Sequence, residues 1–217
     1  MEFTRQNRIF NPENQKNKII VIGAGSTGSF ITLNLAKLGF NDIEVYDFDK
    51  VESHNIPNQF YRINDVGKFK VEALSEIIKD FTDLDIKTSK KKLGVKDMLD
   101  LDLNTIVIFC VDTMKARQEI YSTIKDFPIK LIDTRMGGEG YQIYSSNLEK
   151  EEDKTDYEKT LNYETLETTC GEKSVIFTIL SIASETCNIV KKMDKGESYP
   201  TKLKRHLSTY HIITKIK

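Results

Sequence analysis

A short apolar run that ends in a glycine-rich turn constrains this chain more than any other feature. Residues 19–22 read Ile-Ile-Val-Ile, and such a β-branched run is typical of a buried parallel strand. The turn Gly23-Ala24-Gly25-Ser26-Thr27-Gly28 follows, and behind it apolar residues recur at helical spacing up to Gly39. A G-x-G-x-x-G turn between a strand and a helix predicts a βαβ unit that binds a nucleotide.

The residue types of this unit suit a phosphate and a ribose. Because Gly23 and Gly25 lack side chains, backbone N–H groups can approach a phosphate closely, and the helix that begins around Gly28 adds its dipole. A second strand over residues 43–46 ends at Asp47, whose carboxylate can accept hydrogen bonds from both ribose hydroxyls. The alternative is a glycine-rich turn that serves only tight packing.

The residues that follow Asp47 separate two kinds of nucleotide-binding protein. A dehydrogenase would normally continue into an ordinary loop and helix, whereas this chain carries five ordered motifs. They are Arg5 to Ile9, Asp47-Phe48-Asp49-Lys50-Val51, Asn55-Ile56-Pro57-Asn58-Gln59-Phe60, Gly67-Lys68-Phe69-Lys70 and Asp112 to Arg117. Together they resemble the ThiF-type adenylyltransferases, which include ubiquitin-activating enzymes and bacterial relatives in thiamine and molybdopterin biosynthesis. The resemblance covers residues 5–135 in register and the helix from Gly171 more loosely.

The resemblance implies that ATP and Mg²⁺ bind at this unit, with Asn55 and Gln59 fixing the nucleotide. Lys70 would bind the phosphates and stabilise the charge that develops when the α-phosphoryl group is attacked. The alternative is a surface lysine beside a helix N-terminus. Asp112 follows a buried strand over residues 105–110 and would hold Mg²⁺. Its alternative role is the N-cap of the next helix.

The arginines near the N-terminus carry the prediction of a dimer. In the family the counterpart of Arg8 comes from the partner subunit and reaches the triphosphate, so a homodimer is expected. A planar, permanently charged guanidinium suits that task. The alternative is that Arg5 and Arg8 belong to a solvated arm over residues 1–17. Arg117 is expected to be a structural ion-pair partner rather than a catalyst.

One position departs from the family pattern. The family usually has arginine where this chain has Asn58, and loss of that cation would weaken stabilisation of charge on the phosphates. Arg62 would share a face with Asn58 if the segment were helical and could then replace the missing cation. If it does not, activity could be low or absent.

The three cysteines make no disulfide framework, which favours a reducing cytosol. Cys170 lies directly before a predicted helix over residues 175–190, where several one-domain relatives keep a thioester cysteine. A helix N-terminus would lower its pKa, and the alternative is a packing cysteine. Cys110 and Cys187 are predicted core residues. Many relatives carry C-x-x-C pairs that hold a structural zinc, and their absence here predicts no such zinc.

The 217 residues are predicted to form a single domain, an α/β fold with a Rossmann-like, mostly parallel sheet and an antiparallel portion after the fifth strand. Glycines 137, 138 and 140 make either a flat wall for an extended peptide or a hairpin turn. Residues 147–168 are acidic and are interpreted as a mobile or partly helical crossover. Residues 193–217 are interpreted as a basic tail whose histidines, His206 and His211, are surface residues.

The predicted function follows from the resemblance. It is ATP- and Mg²⁺-dependent adenylation of the C-terminal carboxylate of a small ubiquitin-like or sulfur-carrier protein, followed by a thioester if Cys170 is a nucleophile. A separate conjugating or sulfur-transfer protein would then take the product. The alternatives are adenylation of a peptide or modified tRNA without a thioester, and a decayed nucleotide-binding subunit. A net charge of −1 favours neither nucleic acid nor membrane, and no apolar run has transmembrane length.

Overall fold

One eight-stranded sheet runs through the molecule in a computed structural model that describes residues 1–94, 99–162 and 175–216. The strands are β1 (Lys18–Ile22), β2 (Ile43–Tyr46), β3 (Lys87–Ser89), β4 (Thr105–Phe109), β5 (Lys130–Gly137), β6 (Gly140–Asn147), β7 (Pro200–His206) and β8 (His211–Ile216). Their order is β3-β2-β1-β4-β5-β6-β7-β8, parallel from β3 to β5 and antiparallel from β5 to β8. The predicted mostly parallel α/β sheet with an antiparallel continuation is confirmed.

Helices cover both faces of the sheet. They are α1 (Ser26–Leu38), α2 (Lys70–Thr82), α3 (Met114–Ile124), α4 (Glu151–Leu161) and α5 (Ile176–Lys195), with 3-10 turns at Pro12–Asn14, Ser53–Asn55 and Ile63–Asp65. Successive strand residues point to opposite faces, so Ile19 and Val21 join the core under α1, α2 and α5, whereas Ile20 and Ile22 join the core under α3 and α4. Among the described residues, no helix is both long and apolar enough to span a bilayer.

The N-terminal segment is anchored to the end of α1. The ring of Phe10 is buried and stacks on Phe40 with centroids 5.0 Å apart. The side chain of Gln6 donates a hydrogen bond of 2.7 Å to the carbonyl oxygen of Leu38. Arg8 remains exposed on this segment, so packing holds the backbone in place while leaving the guanidinium in solvent.

Two stretches interpreted from the sequence as a crossover and a tail contain regular elements in the structure. The acidic crossover contains the helix α4, whose Tyr157 is buried beside Tyr121 of α3, so its helical alternative is confirmed there and residues 163–168 lie outside the described part. The interpretation of residues 193–217 as a tail is wrong, because α5 continues to Lys195 and β7 and β8 then form a hairpin on the sheet. On β7 only Leu203 is buried, too weak a pattern to predict a strand.

The glycines between β5 and β6 resolve as a hairpin turn. Gly137 pairs with Gly140 across the antiparallel ladder, and Gly138 has a φ of 55° in the turn. Strand β5 extends through Arg135 to Gly137, and β6 begins at Gly140. The sheet therefore continues past the last parallel strand without a break.

Candidate functional site

A cleft of about 790 Å³ opens at the carboxyl edge of the parallel strands. This is where open α/β sheets bind ligands, because the loops that follow each strand converge there. The glycine turn and four of the five motifs contribute residues to its walls, together with several side chains that the motifs do not include. The predicted site residues on its walls are Gly23, Gly25, Asp47, Asn55, Gln59, Lys70 and Asp112.

The glycines of the turn differ in what surrounds them: Gly23 and Gly28 are packed closely against the backbone, whereas Gly25 is open. Gly23 has a φ of +99°, and a Cβ there would lie 2.5 Å from the carbonyl oxygen of Cys110. A Cβ on Gly28 would lie only 1.8 Å from the carbonyl oxygen of Gly23, so α1 packs directly on the turn. A Cβ on Gly25 would meet nothing within 4 Å. Gly25 therefore leaves the helix N-terminus open to the cleft, as a phosphate requires.

Asp47 lies at the tip of β2 with its carboxylate fixed in place. Its two oxygens accept hydrogen bonds from the backbone N–H of Ala24 at 2.7 Å and of Asp49 at 2.8 Å. Burial raises the pKa of Asp47 above its ordinary value, although these two bonds and the charge of Lys70 oppose the shift. The carboxylate has lone pairs left over and faces the cleft, so it can accept further hydrogen bonds from a ligand.

Lys70 begins α2, as predicted, and its ammonium is buried against the cleft wall. It forms an ion pair with Asp49 at 3.0 Å, and its backbone N–H donates to the Asp49 carbonyl oxygen at 2.9 Å. A surface lysine would be solvated, whereas Lys70 is only 7% exposed. The alternative of an ordinary surface lysine is therefore wrong, and a cation is held beside the glycine turn.

Asn55 and Gln59 lie on the loop between β2 and α2. The side-chain oxygen of Asn55 accepts the backbone N–H of Glu52 at 2.9 Å, which closes the 3-10 turn. The side-chain oxygen of Gln59 is buried and has no hydrogen-bond partner among the described residues. Such an orphaned acceptor is costly, and a ligand donor in the cleft would satisfy it.

Asp112 lines the cleft directly before α3. The N-cap of α3 is Thr113, whose hydroxyl accepts the backbone N–H of Ala116 at 3.2 Å. The alternative role of Asp112 as an N-cap is therefore wrong, and its carboxylate is exposed. Over the described ranges, no three His, Cys, Asp or Glu side chains group as a metal site.

Arg117 is a structural ion-pair partner, as predicted. Its guanidinium is buried and donates to Asp133 at 2.8 Å and to the Thr134 carbonyl oxygen at 2.8 Å. Arg135 reaches the other oxygen of Asp133 at 2.7 Å, and Tyr157 of α4 donates to it at 3.1 Å. Two cations thus share one fully buried carboxylate at the cleft wall, an arrangement that links β5, α3 and α4.

The predicted rescue of Asn58 by Arg62 is wrong. Asn58 lines the cleft, but Arg62 does not, because its guanidinium is bound to one carboxylate of its own 3-10 turn and to two of α2. They are Asp65 at 2.9 Å, Asp80 at 2.9 Å and Glu76 at 3.3 Å. Arg62 also begins a separate 3-10 turn, so it does not share a helical face with Asn58.

Three further cleft residues were not predicted from the sequence. Lys91 and Lys92 belong to a run of three exposed lysines after β3 and line the cleft, and the Lys92 ammonium lies 5.4 Å from the Phe48 ring centroid. Arg135 is the third. Nothing in the local pattern distinguishes these cations from surface charges, since only the path of the loop after β3 and the pairing of β5 bring them to the cleft.

The remaining predicted residues divide by position. Arg8 does not line the cleft of its own chain, and Cys170 lies outside the described residues. Cys187 is buried in the core, as predicted. Cys110 instead follows β4 and lines the cleft, where burial raises the pKa of its thiol to about 11. The Cys110 thiol is therefore protonated at neutral pH, and both histidines of the β7–β8 hairpin are exposed.

Comparison with known proteins agrees with this geometry. Residues 5–214 match the model of the ThiF family. The NEDD8-activating enzyme E1 catalytic subunit of Caenorhabditis elegans is 32% identical over 128 residues, which cover 56% of this chain and 30% of that protein. Ubiquitin-like modifier-activating enzyme 5 of the same organism is 30% identical over 115 residues, which cover 47% and 27%. The chain spans less than a third of the length of these two relatives.

Two solved structures share the fold over most of the chain. PaaA superposes with a TM-score of 0.71 at 20% identity, covering 94% of this chain and 74% of its own. Escherichia coli MccB, solved with ATP, superposes with a TM-score of 0.71 at 15% identity, covering 94% of this chain and 65% of its own. At these identities the likeness concerns the fold.

Proposed function

This chain belongs to the ThiF family, and from that premise we propose that it adenylates the C-terminal carboxylate of a small ubiquitin-like or sulfur-carrier protein. ATP is the second substrate, and the products are an acyl adenylate and pyrophosphate. One observation carries the proposal. A single cleft at the carboxyl edge of the parallel strands gathers the glycine turn, Asp47, Lys70 and Asp112.

The chemistry asks little of acid–base groups. A carboxylate is a poor electrophile because its leaving group would be oxide. In the proposed step a carboxylate oxygen forms a bond to the α-phosphorus of ATP, and the bond from that phosphorus to the bridging oxygen breaks, its electron pair leaving on pyrophosphate. No proton is transferred in this step, so positioning and fixed positive charge are what the chain has to supply.

Each cleft residue has a matching task. The open N–H groups at Gly25 receive phosphate oxygens, and Asp47 accepts hydrogen bonds from the ribose hydroxyls. Lys70 holds its ammonium where negative charge builds on the phosphates. The buried oxygen of Gln59, orphaned among the described residues, accepts a donor of the nucleotide.

Asp112 would hold Mg²⁺. Its exposed carboxylate supplies the hard oxygen ligand that this ion prefers, and Mg²⁺ usually takes few protein ligands and keeps several waters. When bound, the ion neutralises charge on the phosphate oxygens. In addition we propose a homodimer in which Arg8 enters the cleft of the partner subunit. We also propose that the Cys170 thiolate attacks the acyl carbon of the adenylate, which forms a thioester and breaks the bond to the phosphate oxygen, so that AMP leaves.

The class of carboxylate substrate rests on the comparisons. The two curated relatives are named for activating NEDD8 and a ubiquitin-like modifier, which supports a small protein with an extended C-terminal tail. MccB, however, has been solved together with AMPCPP and MccA. Adenylation of a peptide without a thioester is therefore the alternative substrate class.

A second candidate function is a nucleotide-binding subunit without catalysis. Asn58 stands where the family pattern has arginine, and Arg62 is held away by three carboxylates. In this case the chain would bind ATP but would not form an adenylate. Measuring binding and exchange on the same preparation distinguishes the two candidates.

The test is ATP–pyrophosphate exchange by the full chain with small proteins that end in Gly-Gly. We expect exchange that depends on the small protein and falls about 100-fold or more in Asp112→Asn. The matched control is Asp100→Asn. Asp100 is an exposed carboxylate that contacts Lys18 at the amino end of β1, away from the cleft, and this variant should exchange like the wild type. ATP binding without exchange for any small protein or peptide would favour the second candidate.

A further inference from the structure

The antiparallel half of the sheet presents positive charge beside the cleft. On β7 the side chain of Leu203 belongs to the core under α5, so its neighbours Lys202 and Lys204 lie on the opposite face. Arg135 of β5 lies on that face too, because it and Lys202 both sit over the ring of Tyr144, at 4.5 and 5.9 Å from its centroid. Arg135, Lys202 and Lys204 are called the cationic row below.

The two lysines of the cationic row are not neutralised by the described part of the chain. Lys215, on the neighbouring strand β8, reaches Asp156 of α4 at 3.5 Å. Lys202 and Lys204 have no such carboxylate partner among the described residues, and burial together with the charges of Lys202 and Arg135 lowers the pKa of Lys204. The positively charged side chains of the cationic row therefore repel one another. An anion from another molecule, bound between them, would reduce that repulsion.

The cationic row is continuous with the cleft. Arg135 lines the cleft and pairs across the ladder with Gln142, which pairs in turn with Lys204. Two interstrand spacings separate Arg135 from Lys204, about 10 Å. An extended peptide advances about 3.3 Å per residue, so about three residues separate the two positions. Between them on the same face lies Gln142 of β6, and the Tyr144 ring packs against Arg135 and Lys202.

We infer that the cationic row binds acidic side chains of the protein or peptide whose C-terminal carboxylate enters the cleft. The inference rests on the proposed function, and it further specifies that the tail of the partner carries negative charge. The acidic side chains would lie about three residues or more before the residue that passes Arg135. A nucleic acid fits less well, because it needs many more cations than this row offers and the whole chain has a net charge of −1.

The test uses two fluorescent ten-residue peptides that end in Gly-Gly with a free carboxylate. One carries three Asp or Glu residues at the fourth to sixth positions before the Gly-Gly, and the other carries Asn or Gln there. We expect the full chain to bind the acidic peptide about five- to tenfold more tightly in fluorescence anisotropy at low salt. Added salt should reduce the difference, because these charges are partly solvated.

Variants connect the preference to the cationic row. Lys202→Gln with Lys204→Gln should remove the preference, while Lys87→Gln, an exposed lysine on the opposite edge strand, should keep it. Lys202→Glu with Lys204→Glu should bind a lysine-substituted peptide better than the acidic one. Equal binding of the two peptides by the wild type, no measurable binding of either, or a preference that survives in the double Gln variant would each overturn the inference.

Pyrophosphate exchange with the same peptides separates this inference from the proposed function. An acidic preference in binding without any exchange would support the cationic row and contradict adenylation. Equal exchange from both peptides, with equal binding, would support adenylation and contradict the cationic row. An oligonucleotide that binds at the row while the acidic peptide does not would also overturn the inference.

Discussion

The parallel and antiparallel halves of the sheet place polar groups in different ways. In the parallel half, the cleft residues follow the ends of strands, as Asp47 follows β2 and Asp112 follows β4. In the antiparallel half, the cations of β7 lie in mid-strand and alternate with a core residue. A nucleotide site built from backbone N–H groups and fixed carboxylates requires a few residue types at set spacings. A surface that docks a partner by charge requires only that charged residues alternate with core residues along a strand. The first kind of site is therefore visible in a sequence, and the second is not.

The largest effect should come from the glycine turn of the parallel half. Gly28→Ala would place a Cβ only 1.8 Å from the carbonyl oxygen of Gly23, which is a severe clash. We expect at least about 4 kcal/mol of destabilisation or no folded protein. Thermal unfolding measures it. Gly25→Ala is the matched control, because its Cβ meets nothing within 4 Å. It should fold with a normal Tm but bind ATP more weakly, and a normal Tm for Gly28→Ala would contradict the packing described.

The next effect should come from the buried cation of the cleft. Lys70→Gln should lower the rate of pyrophosphate exchange by about 100- to 1,000-fold, because a fixed charge beside the phosphates is lost. Lys68→Gln changes a lysine two residues away that pairs with Asp65 at 3.3 Å outside the cleft, and it should exchange like the wild type. Equal rates in the two variants would remove Lys70 from the proposed machinery.

A smaller effect concerns the pH dependence of ATP binding. Burial raises the pKa of Asp47 in the folded chain, so the carboxylate is protonated at a higher pH than an exposed aspartate. As pH falls through that raised pKa, ATP affinity should fall about 10- to 100-fold, because charged acceptors of the ribose hydroxyls are lost. Titration calorimetry at several pH values measures this, and Asp47→Asn should remove the dependence.

The stability contribution of Asp47 should move in the opposite direction. A raised pKa in the folded state means that protonation favours folding, so the contribution is fully present below the unfolded-state pKa and is lost as pH rises through the folded-state pKa. ATP affinity and this contribution to stability therefore change with opposite signs over the same pH range. If ATP affinity in the wild type and in Asp47→Asn fell in parallel with pH, another group would be responsible.

The smallest effect should come from restoring the cation that the family pattern has at position 58. Asn58→Arg should raise the exchange rate, by about tenfold if the guanidinium contributes about 1.4 kcal/mol to stabilising the transition state. Asn104→Arg adds the same charge at an exposed turn on the opposite edge of the sheet and should leave the rate unchanged. An unchanged rate in Asn58→Arg would mean that the missing cation does not limit activity.

Sequence reasoning anticipated the strand–turn–helix unit, Lys70 at the start of α2 and the burial of Cys187. It could not anticipate that Arg62 is bound by Asp65 of its own turn and by Asp80 and Glu76 of α2. Two of these carboxylates lie 14 and 18 residues away in sequence. An ion pair of that kind depends on how a loop packs against a helix, and no local spacing records it.

The sequence by itself determined the nucleotide unit. The turn that binds phosphate needs glycines where a side chain would clash with the backbone, and the ribose needs an acid at the end of the next strand. Only the tertiary structure decided which cations reach the cleft. Lys91, Lys92 and Arg135 all line it because of the path of the loop after β3 and the pairing of β5, and Arg62 is held away by Asp65 of its own turn and by two carboxylates of α2. Charge acts through space, so its effect depends on distances that the folded chain alone sets.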